Sequence, residues 1–327
     1  MGEVMNSISD QQEVRIRQWA ETVGETLTLR YTTSGHVQDQ PFRSFVDQLA
    51  GIAGCIRPKK ESDLPVERPT LFVGPHVAYQ ALPLDRELEP FLAVLANGAA
   101  FTDQIGPDVR AQLERLGVPA LLKVYVTPHC PFCPATVTTL LGLAGLNENV
   151  WVTVIDGMLY SEAADQDRIS SAPTVILDDQ FRWTGSVDAL ELVTLMLDRD
   201  PAGLSADALR GMIEDADADG VARLMSDHNQ IFPAFIELLI HPRWSVRLGA
   251  MVVIETLVEM APALAGQVVE PLLAAFATID DTVKGDVLHV LGEAGNRDAL
   301  PFLSRVLEVE TDEEICDAAS EAIEKLT

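Results

Sequence analysis

Basic residues are scarce in this 327-residue chain: 23 lysines and arginines stand against 50 aspartates and glutamates, a formal net charge of −27. Such a field repels polyanions, so neither a nucleic-acid backbone nor an anionic membrane is expected as a partner. Cysteine is scarce too. Cys55, Cys130, Cys133 and Cys316 are too few and too scattered for a disulfide framework, and they point to a cytoplasmic, reducing setting. No apolar run reaches membrane-spanning length, and no early apolar run follows basic residues as a secretory signal would. No Gly-rich dinucleotide fingerprint occurs, so no cofactor is expected. What is present is ample apolar matter, 47% of the residues, on a chain long enough for two or three packed domains.

The stretch that organises the rest is Thr127-Pro128-His129-Cys130-Pro131-Phe132-Cys133-Pro134. It follows an apolar run over 121–126 that reads as a buried strand, and it precedes residues 135–146, which read as a helix. Unpaired N–H groups and the positive end of a helix favour a thiolate at Cys130, with Cys133 one turn on and able to close a disulfide onto it. Half of many zinc sites has the same spacing, but two more ligands would be needed. Cys55 and Cys316 are solitary in apolar strand and helix patterns and read as small buried hydrophobes; no metal is expected. His129 either stabilises the thiolate when protonated or points to solvent. Pro131 is expected at an early helix position where no N–H is needed, and Phe132 as an apolar contact for substrate.

Taken in order, Ser9 with Gln12 forms a capping box for a helix through Val23. A strand over 27–32, a helix with Phe42, Phe45, Val46 and Leu49 inward, a strand over 52–56 and a polar loop over 59–67 follow. Residues 68–74 and 77–79 read as two strands, and 87–96 as a closing helix. The order β-α-β-β-β-α returns between 121 and 198, with an added helix over 163–169, which reads as an internal duplication. A helix over 107–116 ending at Gly117 links the copies. The first copy carries Ser34-Gly35-His36-Val37 in place of cysteines, and a solvated, redox-silent loop is expected there rather than a Ser34–His36 dyad.

Residues 10–200 resemble the tandem thioredoxin-fold region of the alkyl hydroperoxide reductase flavoprotein subunit, the archaeal protein disulfide oxidoreductases and the glutaredoxin-like family. The resemblance rests on Leu64-Pro65-Val66-Glu67-Arg68-Pro69, Asp156-Gly157 after the strand over 150–155, Ala172-Pro173, and Cys-Pro-Phe-Cys. It implies dithiol–disulfide exchange, with Cys130 exposed at the turn and attacking, and Cys133 resolving. It further implies a cis bond before Pro173, and a backbone at Ala172 that pairs with the substrate chain as an added strand. Thioredoxins carry a buried Asp six residues before the first cysteine. Here Val124 stands there, which leaves bulk water or Lys123 to take protons.

After Asp200-Pro201-Ala202-Gly203 strand signals stop. From Ser205 on, 8 basic residues face 23 acidic ones, a net −15. Pro233, Pro271 and Pro301 each open an apolar helix, and a second helix follows each, beginning near Ser245, Thr282 and Glu314. The pattern resembles HEAT-type repeats, an α-solenoid that offers one extended face to a partner. Residues 215–220 open like a calcium loop, but Ser226 stands where the bidentate Glu is needed.

The expected architecture is therefore α/β plus all-α: a redox-silent thioredoxin-like domain (1–118), a second with the cysteine pair (119–203), and HEAT-like repeats (204–327). The expected function is a protein disulfide oxidoreductase with catalytic Cys130 and Cys133 and substrate contacts from His129, Phe132, Ala172 and Pro173. Its partners would be protein disulfides, a separate reductase or oxidant, and a protein docked on the repeats. The competing expectation is a redox-responsive scaffold whose repeats bind that partner.

Overall fold

The computed structural model describes residues 8–61 and 67–327. Residues 62–66, and with them Leu64-Pro65-Val66 and the middle of the expected loop, lie outside the described residues. The chain divides into two compact units, one ending at Asp198 and one spanning Arg199–Thr327.

The first unit is α/β. Its elements are α1 (Asp10–Thr22), β1 (Leu27–Tyr31), α2 (Asp39–Ile52), β2 (Ile56–Lys60), β3 (Leu71–Val73), β4 (Val77–Gln80), α3 (Leu88–Ala96), α4 (Pro107–Leu113), β5 (Ala120–Val126), α5 (Cys133–Ala144), β6 (Val150–Asp156), α6 (Ser161–Gln166), β7 (Thr174–Leu177), β8 (Phe181–Thr184) and α7 (Ala189–Asp198). The eight strands form one sheet in the order β2-β1-β3-β4-β6-β5-β7-β8. The first four strands and the last four repeat one pairing scheme: parallel β1–β2 and β5–β6, then antiparallel β1–β3–β4 and β5–β7–β8. The halves meet where β4 runs parallel to β6, with Tyr79 beside Val154.

Burial explains the central strands. β5 and β6 are both inward-facing on alternate residues at their starts and wholly buried over their last three, as expected of strands covered on both faces. The four predicted residues of α2, Phe42, Phe45, Val46 and Leu49, are fully buried, each contributing roughly 2 kcal/mol of apolar transfer. Both bonds of the predicted capping box close: Ser9 Oγ accepts from Gln12 N–H, and Gln12 Oε1 from Ser9 N–H.

Two local expectations fail. The strand placed at 52–56 begins at Ile56, because α2 continues through Ile52. The helix expected to run to Leu116 ends at Leu113, and Gly117 is not among the positive-φ glycines. Gly74, in the β3–β4 turn at φ +64°, is where the left-handed region is needed.

The second unit is helical: α8 (Ala206–Glu214), α9 (Ala218–His228), α10 (Pro233–Leu239), α11 (Trp244–Met260), α12 (Pro262–Ala265), α13 (Val269–Ala275), α14 (Asp281–Glu293), α15 (Leu300–Val309) and α16 (Glu313–Leu326). Pro233 and Pro301 open α10 and α15 in their first turns, while Pro271 sits at the third residue of α13. Arg247, 4% exposed, ties α11 to α14. Its Nε donates to Asp286 Oδ2 at 2.6 Å, and its Nη1 to the carbonyls of His241 and Pro242 at 2.7 and 3.0 Å. Asp217 caps α9 by accepting from the Gly220 N–H at 3.0 Å, and the stretch expected to resemble a calcium loop is used that way. No helix among the described residues is long and apolar enough to cross a membrane.

Candidate redox site

β5 delivers the chain to a turn over 127–132, closed by the Cys130 N–H donating to Thr127 O at 3.1 Å. Cys133 is the first residue of α5 and is joined to Cys130 by a disulfide, their Cα atoms 5.5 Å apart. The Cys133 amide, one of those a helix start leaves without a partner inside the helix, donates to Cys130 Sγ at 3.0 Å. When the disulfide opens, that amide and the helix end stabilise negative charge on Cys130. Pro134, not Pro131, occupies the first turn of α5; Pro131 precedes the cap Phe132.

The Ala172–Pro173 bond is cis, and the Ala172 carbonyl oxygen lies 3.5 Å from Cys130 Sγ. Cys130 was expected to stand open at the turn. Instead only 7% of it is accessible and Cys133 is fully buried, because the β7 approach and the turn itself fold over the sulfurs. The rim around them is open: Pro128, His129 and Pro131 are exposed, and Phe132 is 70% exposed. Ala172 is half-buried and Pro173 buried. Lys123 is instead paired with Asp179 and lies 3.7 Å from Asp167.

A buried carboxyl from the other half of the sheet lies beside the turn. A cavity of about 300 Å³ borders the redox turn and is lined by Thr127, Pro128 and His129 together with Leu82, Leu84, Asp85, Glu87, Val126, Asp156 and Leu159 among others. Glu87, which precedes α3, is 5% exposed, and neither carboxyl oxygen has a hydrogen-bond partner among the described residues. Burial pushes its carboxyl from an ordinary 4.5 up to about 7. Across the cavity, Asp156 ends β6. Burial raises its pKa as well, opposed by the Leu159 and Met158 N–H groups that donate to Oδ1 at 3.1 and 2.9 Å. Tyr79, fully buried in β4, is held well above its ordinary range by burial and by Glu87. Glu87 does not stand out as chemistry in the sequence, and Asp156 does so only through the Asp156-Gly157 pair that carries the resemblance. Glu87 looks like a solvated acid in a helix's first turn, and only the β4–β6 junction reveals otherwise.

The Ser34-Gly35-His36-Val37 turn is held by its own backbone. The Ser34 and Gly35 N–H groups donate to the Asp39 carboxylate at 3.0 and 2.8 Å, and the Gln38 N–H donates to His36 Nδ1 at 3.1 Å. Ser34 Oγ accepts from the His36 amide, not from its ring. Cys55 and Cys316 are unpaired and half-buried, and no group of three or more metal-ligating side chains occurs among the described residues.

Among curated proteins the chain is similar to an NADH dehydrogenase of Bacillus subtilis, at 22% identity over 189 residues, covering 56% of this chain and 37% of that protein. It is also similar to an alkyl hydroperoxide reductase subunit of Staphylococcus epidermidis, at 24% over 136 residues, covering 42% and 26%. It thus spans between about a quarter and little more than a third of the length of these relatives. Among solved structures, a protein disulfide oxidoreductase of Aeropyrum pernix aligns with a TM-score of 0.49 at 16% identity, over 58% of this chain and 92% of that one. Residues 121–197, from β5 nearly to the end of α7, match the thioredoxin-domain family.

Proposed function

We propose that the protein is a thiol–disulfide oxidoreductase acting on protein disulfides in the cytoplasm. One observation carries this reading: the Cys130–Cys133 disulfide at the mouth of α5, with the Cys133 amide on Cys130 Sγ and the Ala172 carbonyl beside it. In the reduced protein, Cys130 thiolate attacks one sulfur of the substrate disulfide. That S–S bond breaks, and one substrate thiolate leaves and takes a proton. Cys133 then loses its proton and attacks Cys130 Sγ, releasing the second substrate thiolate. The substrate gains two electrons and the protein is left as its disulfide, which a separate dithiol reductase must reopen; run backwards, the same steps oxidise a substrate. Glu87, titrating near neutrality beside the turn, supplies a group that takes and returns these protons. His129 and Phe132 form the exposed rim that meets the substrate, and Ala172 and Pro173 the backbone edge along which its chain lies.

On this reading residues 1–118 and 119–203 form two thioredoxin-like domains sharing one sheet, the first redox-silent. Residues 204–327 are HEAT-like repeats that dock a partner. Reduction of insulin disulfides by dithiothreitol tests the chemistry: the wild type accelerates it and Cys130→Ser does not, and equal rates refute the proposal. Cys133→Ala is expected to remain mixed-disulfide bound to the natural substrate.

A second reading is favoured by the exposed Trp244, Leu248 and Val252, spaced four apart along α11. There the repeats bind a protein and the cysteine pair adjusts that contact. Capture of the same partners by the full chain and by a Leu248→Asp, Val252→Asp variant counts against it.

A further inference from the structure

The cavity beside the redox turn is more than a proton reservoir. Its walls are apolar, from Leu82, Leu84, Val126 and Leu159, and its polar side chains are three carboxyls, from Asp85, Glu87 and Asp156, with Thr127 and His129 on the side of the redox turn. No lysine or arginine is among the described residues lining it. At about 300 Å³ it holds far more than one water, whose share of the liquid is roughly 30 Å³. Asp85 already accepts from Gln12 Nε2 at 3.3 Å, and Asp156 Oδ1 from two backbone amides, but both Glu87 oxygens are buried without a donor among the described residues. A buried acceptor left unmatched calls for a donor. No group of three or more metal-ligating side chains occurs among the described residues, and the apolar walls suit a donor carried on an extended stem. An apolar stem with a cationic head has that shape. Residues 127–129 line the cavity, and the next residue is Cys130.

We propose that this cavity receives a basic side chain of the polypeptide whose disulfide is attacked, with the stem against Leu82, Leu84 and Leu159 and the cationic head between Glu87 and Asp156. The proposal rests on the exchange reading above and adds to it a substrate class: disulfides with a lysine or arginine beside the attacked cysteine.

Two measurements on the full chain separate the two claims. The first compares exchange rates of the reduced protein with two peptide disulfides that differ only in lysine or norleucine next to cysteine. The wild type is expected to prefer lysine by about tenfold, and Glu87→Gln and Asp156→Asn to bring the ratio near one. A wild-type ratio of one, or a ratio unchanged in both variants, overturns the proposal. The second titrates the oxidised protein with n-butylammonium and with 1-butanol, read by amide NMR shifts at Leu82 and Leu159, and needs no redox chemistry. The ammonium is expected to saturate at about tenfold lower concentration, and the difference to vanish in Glu87→Gln. If neither peptide is reduced, the exchange reading falls while the titration still decides the cavity. If exchange proceeds but ammonium and alcohol behave alike, the cavity proposal falls alone.

Discussion

Replacing Glu87 by Gln should change how the first unit's stability depends on pH. The native state holds the Glu87 proton up to about 7, whereas the unfolded chain releases it near 4.5. Across that interval the native state binds more protons, so this group's contribution is fully present below about 4.5 and is lost as pH rises through about 7. At about 1.4 kcal/mol per pH unit, the interval corresponds to roughly 3 kcal/mol, fully expressed by about pH 8. Glu87 is nearly sealed, so solvent screening does little to reduce the figure. The amide cannot ionise, so the Gln variant should gain roughly 3 kcal/mol on the wild type between about pH 4.5 and pH 8. Asp156 titrates with the same sign but is common to both proteins and largely cancels. Urea unfolding followed by tryptophan fluorescence measures the difference. Of the four tryptophans only Trp244 lies in the second unit, so a Trp244→Phe background confines the signal to Trp19, Trp151 and Trp183. Parallel pH profiles for the two proteins would show that Glu87 is ionised in the native state and refute the account of the cavity.

Three further outcomes concern the second unit. Arg247→Ala strands a partly buried Asp286 and three carbonyls, and should cost about 3 kcal/mol, read as faster amide exchange in α11 and α14. Gly292→Ala drives a Cβ to within 2.9 Å of the Ala322 Cα on α16, a backbone contact that has to move, and should lose about 1 kcal/mol or more in urea unfolding of α14 and α16. Asp217→Ala removes the cap of α9 and should cost about 1 kcal/mol, visible as faster exchange at the Gly220 amide.

What is legible in the sequence follows from local signals. The strand–turn–helix around Cys130, the inward face of α2, the capping box at Ser9 and the proline entering β7 each need only neighbours in the chain, and each appears where periodicity places it. β2 escapes such a reading because it lies at the sheet's edge. Only Ile56 is buried; Arg57, Pro58, Lys59 and Lys60 are exposed, as an edge that must resist further pairing requires. Such a strand has no apolar alternation to read, and the nearby apolar Ile52 belongs to the helix before it. The burial of Cys130 escapes for a related reason. The cover comes from Ala172, forty-two residues away, and the register of β5 on β7 sets it.

Glu87 shows the same limit at the site itself. A carboxyl at position 124 would have to lie on β5, where Val124 is fully buried between the layers. The buried acid beside the turn is instead Glu87, just before α3 in the opposite half, across the parallel β4–β6 junction that puts Gln80 beside Ile155 and leads directly to Asp156. The half without the cysteine pair therefore contributes to the site in a way that cysteine counting misses. Its own turn over 34–37 carries no thiol, yet its segment over 82–87 completes the wall of the cavity against which the other half's thiols open. A site assembled this way depends on one strand pairing being kept in register. Slippage by one residue would turn Tyr79 to the opposite face and carry the following segment away from Thr127.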